Sequence, residues 1–335
     1  MLVAAGVAIT SLLLTGCSAI GAMGEQTGID LALSGLVSTL ETTYGVTAVT
    51  HKEMNADYQF QVSVTIDAGE VSRDNRVGVI TTVDETLGGS AFGSAMVRFS
   101  IGTDPAPLYS QDVFGDDHLA TDLEYWAAVE AAVGEVSFSI SSDPDGDGPL
   151  TRARGVNSLI AIDYGLLGSI ELDNTALDTW GSPGVSAMGT LPDANAARVL
   201  RELTATIPPH DYADPDLALG ISLDWTSEPQ AANWILRSST LVYDMTDPVA
   251  WEATDPAAST DWPIAVEAAS RIAAGGIRGS QFGYFSEQDL GGIVRFGECS
   301  TELAANAQDT KLFERLQSAG VVMPPGSAAG WCSGA

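Results

Sequence analysis

The most constraining feature of this chain is a strict alternation that recurs between helical stretches. Tyr58, Phe60, Val62, Val64 and Ile66 are apolar, and Gln59, Gln61, Ser63 and Thr65 between them are polar. Side chains of a strand point to opposite faces in turn, so such a segment buries one face and leaves the other wet. The pattern returns at 95–101, with Val97, Phe99 and Ile101, and at 136–140, with Val136, Phe138 and Ile140. It returns again at 217–225, where Leu217, Leu219, Ile221, Leu223 and Trp225 alternate with Ala218, Gly220, Ser222 and Asp224.

Between these strands the apolar period lengthens to that of a helix. Ile29, Leu33, Leu36, Val37, Leu40 and Tyr44 predict a helix over 29–44, stopped by Gly45. Further helices are expected at 70–87, 119–133, 194–207, 228–241, 261–274 and 301–319. Strands are expected at 46–52, 281–286 and 291–298, and a strand-like run covers 156–164. Ser227 and Gln230 have the spacing of a capping box for the helix at 228–241. The expected class is α+β, with antiparallel or mixed sheets and helices packed on one side.

The order divides into a first α+β half at 29–141, a junction at 142–192 that opens with an Asp/Gly loop, and a second half at 193–335. The pentapeptide Ala-Val-Glu-Ala-Ala occurs at 128–132 and again at 265–269, each copy after a Trp and before a strand. That leaves open whether two similar halves record a duplication.

Residues 1–14 form one apolar run, too short to span a bilayer and of the length of an export-signal core. Leu14-Thr15-Gly16-Cys17 follows directly. This resembles the lipobox of bacterial lipoproteins. The resemblance implies cleavage of the 1–16 signal peptide between Gly16 and Cys17. It also implies a diacylglyceryl group, carrying palmitate-type acyl chains, joined to the Cys17 thiol as a thioether, and a protein held on the extracytoplasmic face of the cell membrane. No Lys or Arg precedes the run, a departure that points to a start a few residues upstream. Residues 17–28 read as a flexible tether. With Cys17 acylated, Cys299 and Cys332 remain, an even pair that predicts a disulfide in an exported chain.

Fourteen basic residues face 44 acidic ones, for a formal net charge of −30. That excludes a basic face for nucleic acid. It makes cations and basic partners the electrostatically favoured company. Lys52 and Lys311 are the two lysines, so the acidity comes from scarce bases.

Sequence signatures of nucleophilic or zinc chemistry are missing: there is no Gly-x-Ser-x-Gly elbow, no Ser-x-x-Lys and no His-Glu-x-x-His. His118 among Asp116, Asp117 and Asp122, and His210 among Asp211, Asp214 and Asp216, have metal-ligand chemistry. They fit capping and turn roles better. Asp143, Asp145 and Asp147, with Gly148, resemble the first half of an EF-hand loop and form a candidate calcium site. Arg154 stands where the bidentate Glu belongs, and Pro144 is foreign to such a loop.

Trp126, Trp225 and Trp234 fall on expected buried faces. Trp180 and Trp251 lie in polar stretches and are the candidates for exposed ligand-stacking rings. The functional expectation is a lipid-anchored, non-catalytic binding or scaffold protein of the cell envelope, whose partner is a protein, a glycan or a small solute. The alternatives are a carboxylate-based glycan hydrolase and a solute-binding lipoprotein with a cleft between its halves.

Overall fold

The computed structural model describes residues 26–56, 59–93, 95–103, 107–143, 151–158, 177–210, 218–227, 230–243, 248–298 and 304–332. Chain contacts divide it into two units, Met1–Ala127 with Ser137–Arg152, and Ala128–Val136 with Ala153–Ala335. The class is α+β: the described residues hold seven helices and thirteen strands in mixed pairing.

The first unit opens with helix α1 (residues 26–44), followed by β1 (Ala48–Met54) and β2 (Phe60–Ile66) as an antiparallel pair. Helix α2 (Arg76–Leu87) carries the chain to β3 (Met96–Ile101), which lies parallel to β2. Strand β4 (Tyr109–Gln111) returns antiparallel, and α3 (Leu119–Val133) leads to β5 (Ser137–Asp143), parallel to β4. A parallel neighbour needs a crossover of a dozen residues or so, and here each crossover is a helix.

All the helices of this unit cover one face, because only one strand phase is apolar. Val62, Val64, Ile66, Phe99, Ile101, Tyr109, Phe138 and Ile140 are buried there with Leu33, Leu36, Val79, Val83 and Trp126 of the helices. The Trp126 ring stacks on Phe138 at 6.0 Å and meets Tyr109 at 5.3 Å. Helix α2 also contributes a polar anchor: buried Asp84 accepts from Gln111 Nε2 at 2.5 Å and from the Gly115 amide at 3.2 Å, fixing the turn after β4. The opposite phase, Ser63, Thr65, Ser100, Ser110 and Ser139, is half-exposed.

The second unit follows the same grammar. It contains β6 (Thr151–Asn157) from Ala153 on, then the hairpin β7 (Leu177–Ser182) and β8 (Val185–Met188), helix α4 (Ala194–Thr204), and the hairpin β9 (Leu219–Ser227) and β10 (Gln230–Ser238). A short helix α5 (Pro248–Ala253) and α6 (Trp262–Gly275) cross to the hairpin β11 (Ser280–Ser286) and β12 (Gly291–Phe296). Helix α7 (Ala307–Ser318) follows, and the tail turns back as β13 (Ala328–Ala329) along β12. Parallel pairs again bridge the helices, β8 with β9 and β10 with β11.

Local chemistry sets the helix ends. Asp193 caps α4 through the Ala196 amide at 2.8 Å. Asn306 and Asp309 form a reciprocal capping box on α7. Gly276 ends α6 in the left-handed conformation at φ 65°. Helices α4 and α6 approach closely enough that a Cβ on Gly275 would meet Val199 Cγ2 at 2.8 Å.

One expected helix is corrected, and two stretches gain strands. Residues 228–241 are not a helix: 230–238 form β10, and Ser227 and Gln230 are cross-strand partners rather than a capping box. Ala231, Trp234 and Ile235 share helical spacing, but Ala232, Trp234 and Leu236 share a strand face, and hydrogen bonding on both edges decides for the strand. The 103–117 stretch, which carries no expected element, contains β4. The 142–192 stretch, where a strand-like run is expected at 156–164, contains β6, β7 and β8. The two Ala-Val-Glu-Ala-Ala copies sit at the end of α3 and near the start of α6, so they do not occupy equivalent turns.

Candidate functional site

In the second unit the helix-covered face takes Ile221, Leu223, Trp225, Trp234, Leu236, Phe282 and Tyr284. The alternate phase faces the other way, and cross-strand register brings its polar residues into one row. Ser186 of β8 lies opposite Asp224 of β9, Asp224 opposite Asn233 of β10, Asn233 opposite Gln281 of β11, and Gln281 opposite Arg295 of β12. Directly opposed residues place their Cβ atoms about 4.5–5.5 Å apart, so the row is continuous.

Exposure falls along it. Ser186 is exposed and Asp224 and Asn233 are half-buried, whereas Gln281 and Arg295 retain 2% and 6% of their surface. The amides are aligned head to tail: Gln281 Nε2 donates to Asn233 Oδ1 at 2.9 Å, and the Cys332 amide donates to Gln281 Oε1 at 2.9 Å. Asn233 is thereby oriented with its NH2 group unspent toward the described residues.

Two further groups point to a ligand. Asp224 makes no hydrogen bond among the described residues, and burial holds its carboxyl above the ordinary aspartate value, with Arg237 offsetting part of that rise. Arg237 is itself paired with Asp289. Ser222, two residues before Asp224 on the same strand face, is only 1% exposed, and its hydroxyl has no partner among the described residues. A buried hydroxyl without a partner is costly and uncommon. Here it shares a strand face with an unspent carboxyl and an unspent amide, giving one half-buried acid, one half-buried donor amide and one buried hydroxyl on a single sheet face.

The sequence-predicted residues are distributed differently. Trp180, expected to be exposed, is 2% exposed on the helix-covered face of β7, opposite Ala187. Its ring is a core element and not a stacking platform. Trp251 lies on α5, partly exposed, with its indole nitrogen buried and its ring 6.5 Å from Tyr243. Trp126, Trp225 and Trp234 are buried as expected.

Gly16, Cys17 and Cys299 lie outside the described residues, as do Asp145, Asp147 and the side chain of Asp143. Cys332 is half-buried just beyond β13. The His118 amide is held by Asp116 Oδ1 at 3.0 Å, a turn contact. Among the described residues no group of three or more His, Cys, Asp or Glu is arranged to hold a metal. Among them, too, no helix is long and apolar enough to cross a membrane.

Sequence reasoning missed Ser222, Asn233, Gln281 and Arg295. The available signal was their type: amides and hydroxyls hold a strand phase that solvent alone fills readily with Lys and Glu. No protein-family model, no curated protein and no solved structure matches this chain.

Proposed function

We propose that the mature chain is a lipid-anchored extracytoplasmic protein that binds, without transforming, a neutral ligand rich in hydroxyl and amide groups, such as an envelope glycan. The observation that carries this reading is the Ser222, Asp224 and Asn233 cluster with its unspent hydrogen-bonding groups. A half-buried carboxyl and amide donor, backed by a buried hydroxyl on the same sheet face, are the groups that fix the orientation of a polyhydroxylated ligand.

Binding is favoured over catalysis by what surrounds the cluster. A nucleophilic serine needs a base within hydrogen-bond reach, and among the described residues the Ser222 hydroxyl has no such partner. Glycoside cleavage needs two carboxyls at a set separation, and Asp224 is the one carboxylate in its cross-strand row. The anchor rests on Leu14-Thr15-Gly16-Cys17 and the apolar run before it.

Two measurements test the two parts. Calorimetric titration of the mature chain with soluble envelope glycan fragments should give saturable binding. Asp224→Asn and Ser222→Ala should each weaken it about tenfold. Equal affinity in both variants removes the site. Turnover of the fragments by the wild type, lost in Asp224→Asn, establishes the hydrolase instead. Separately, Cys17→Ala should leave the membrane fraction or accumulate as precursor. Normal retention and processing would discard the lipobox.

A further inference from the structure

The first unit ends on an open edge. Strand β1 pairs along all seven of its residues with β2 and, among the described residues, with no other strand. Its outer row of backbone N–H and C=O groups is therefore a template for a further strand, the situation natural sheets ordinarily blunt with a projecting Lys. Lys52 is placed for that task but is turned inward. Its ammonium pairs with Asp30 and sits 5.6 Å from the centre of the Phe60 ring, and the side chain keeps 16% of its surface. Val49, on the opposite face of β1, is an exposed aliphatic chain at 65%.

Above this edge lies a groove of 530 Å³ between α1 and β1. Leu33 and Val37 give it an apolar strip, Ser34 and Ser38 keep its helix wall low, and Glu41 closes it with an acid. Inside the unit, β2 and β4 each receive a parallel neighbour on their far side, β3 and β5. At β1 the helix overhang and the hydrogen-bonding edge are both present, and no described strand fills the place.

We propose that this edge and groove take up an extended basic segment of another protein as an added strand. Main-chain bonds to β1 supply affinity, alternate small apolar side chains enter the strip of Leu33 and Val37, and the alternate Lys or Arg side chains, on the opposite face with Val49, meet Glu53. A second copy of this chain is the disfavoured occupant: each copy carries a formal charge of −30 and presents the same acidic groove.

The probe is a short, end-capped peptide alternating Lys and Val, labelled for fluorescence anisotropy and titrated against the full mature chain. It should bind, and Ser38→Arg, which fills the groove, and Glu53→Lys, which reverses the charge on the opposite face of β1, should each weaken binding about tenfold while melting with the wild type. Two control peptides decide the mode. N-methylation of alternate backbone amides should abolish binding, and replacement of Lys by Glu should do the same. Equal binding of the methylated peptide overturns strand addition, and equal binding of the acidic one overturns the charge argument. Failure of the basic peptide to bind rejects the proposal. Concentration-dependent dimerisation that Ser38→Arg removes assigns the edge to a second copy instead.

Discussion

Replacing Tyr243 by Phe should make this protein more stable. Tyr243 is 5% exposed, packed against Trp251, and its hydroxyl is buried with no hydrogen-bond partner among the described residues. Burial, with Tyr284 and Asp309 nearby, pushes its phenol well above the ordinary range, so the group is neutral and gains nothing by ionising. An unsatisfied buried polar group costs about 1–3 kcal/mol, and Phe retains the ring that fills the site. The expected gain is about 1–2 kcal/mol. That corresponds to an upward shift of roughly 2–4 °C per kcal/mol for a chain of this size class. The internal control is Tyr284→Phe in the same unit. Tyr284 donates to Ser259 Oγ at 2.8 Å, Ser259 bonds Thr240 Oγ1 at 2.6 Å, and Thr240 and Ser238 both donate to Asp261 Oδ2, at 2.8 and 2.6 Å. Removing that hydroxyl should cost about 0.5–1.5 kcal/mol. Urea unfolding followed by tryptophan fluorescence measures both. The same chemical change at two buried tyrosines should carry opposite signs. Destabilisation of Tyr243→Phe beyond about 1 kcal/mol would show that its hydroxyl is paired in the folded protein.

Because burial raises the Asp224 pKa, the folded state holds that proton more tightly than the unfolded chain. Stability from this group therefore falls as pH rises through its folded pKa and is level below the ordinary aspartate value of 3.8. Asp224→Asn should thus raise the melting temperature at neutral pH and lose that advantage as pH approaches 3.8, and an offset independent of pH would refute the assignment. Asp309 accepts from the Ile293 amide at 2.8 Å and the Asn306 amide at 2.9 Å, so Asp309→Ala should cost about 1–3 kcal/mol. It should also speed hydrogen exchange at Ile293; unchanged protection there would detach α7 from β12. Cys299 and Cys332 should resist thiol labelling in the exported, unreduced protein. Their loop of about thirty residues would stabilise by about 3–4 kcal/mol, and two reactive thiols would show them unpaired.

The elements legible in the sequence are those with one buried face. In β2 the apolar phase is unbroken, and α3 runs over the very residues its period marks. The misread β10 has few fully wet positions: Ala231 is buried on the same side as half-buried Asn233, Ile235 and Arg237, so the polar phase is diluted and a helical spacing takes its place. Strand β4 is three residues long, too short for any period to register. Trp180 was misplaced because its neighbours, Asp178, Thr179, Gly181 and Ser182, have loop composition. The ring is buried by Ala187 across the β7–β8 hairpin and by the helix-covered face, and only pairing reveals either.

The candidate site was hidden for a related reason. Along β9 alone, Ser222 and Asp224 look like the wet half of an alternation, and nothing local separates a solvated serine from one that is 1% exposed. Asn233, Gln281 and Arg295 join them only through the register of β9, β10, β11 and β12, which no single strand encodes. What the strand does encode is the absence of a purely solvating side chain. A wet strand face has no need of a carboxyl whose pKa is raised by burial, or of an amide oriented by a second amide that is itself held by the Cys332 backbone. Each of those arrangements lowers stability or spends a hydrogen bond on orientation. Their coincidence at one end of the row, beside exposed Ser186, is better accounted for by a ligand that satisfies Ser222, Asp224 and Asn233 together than by folding alone.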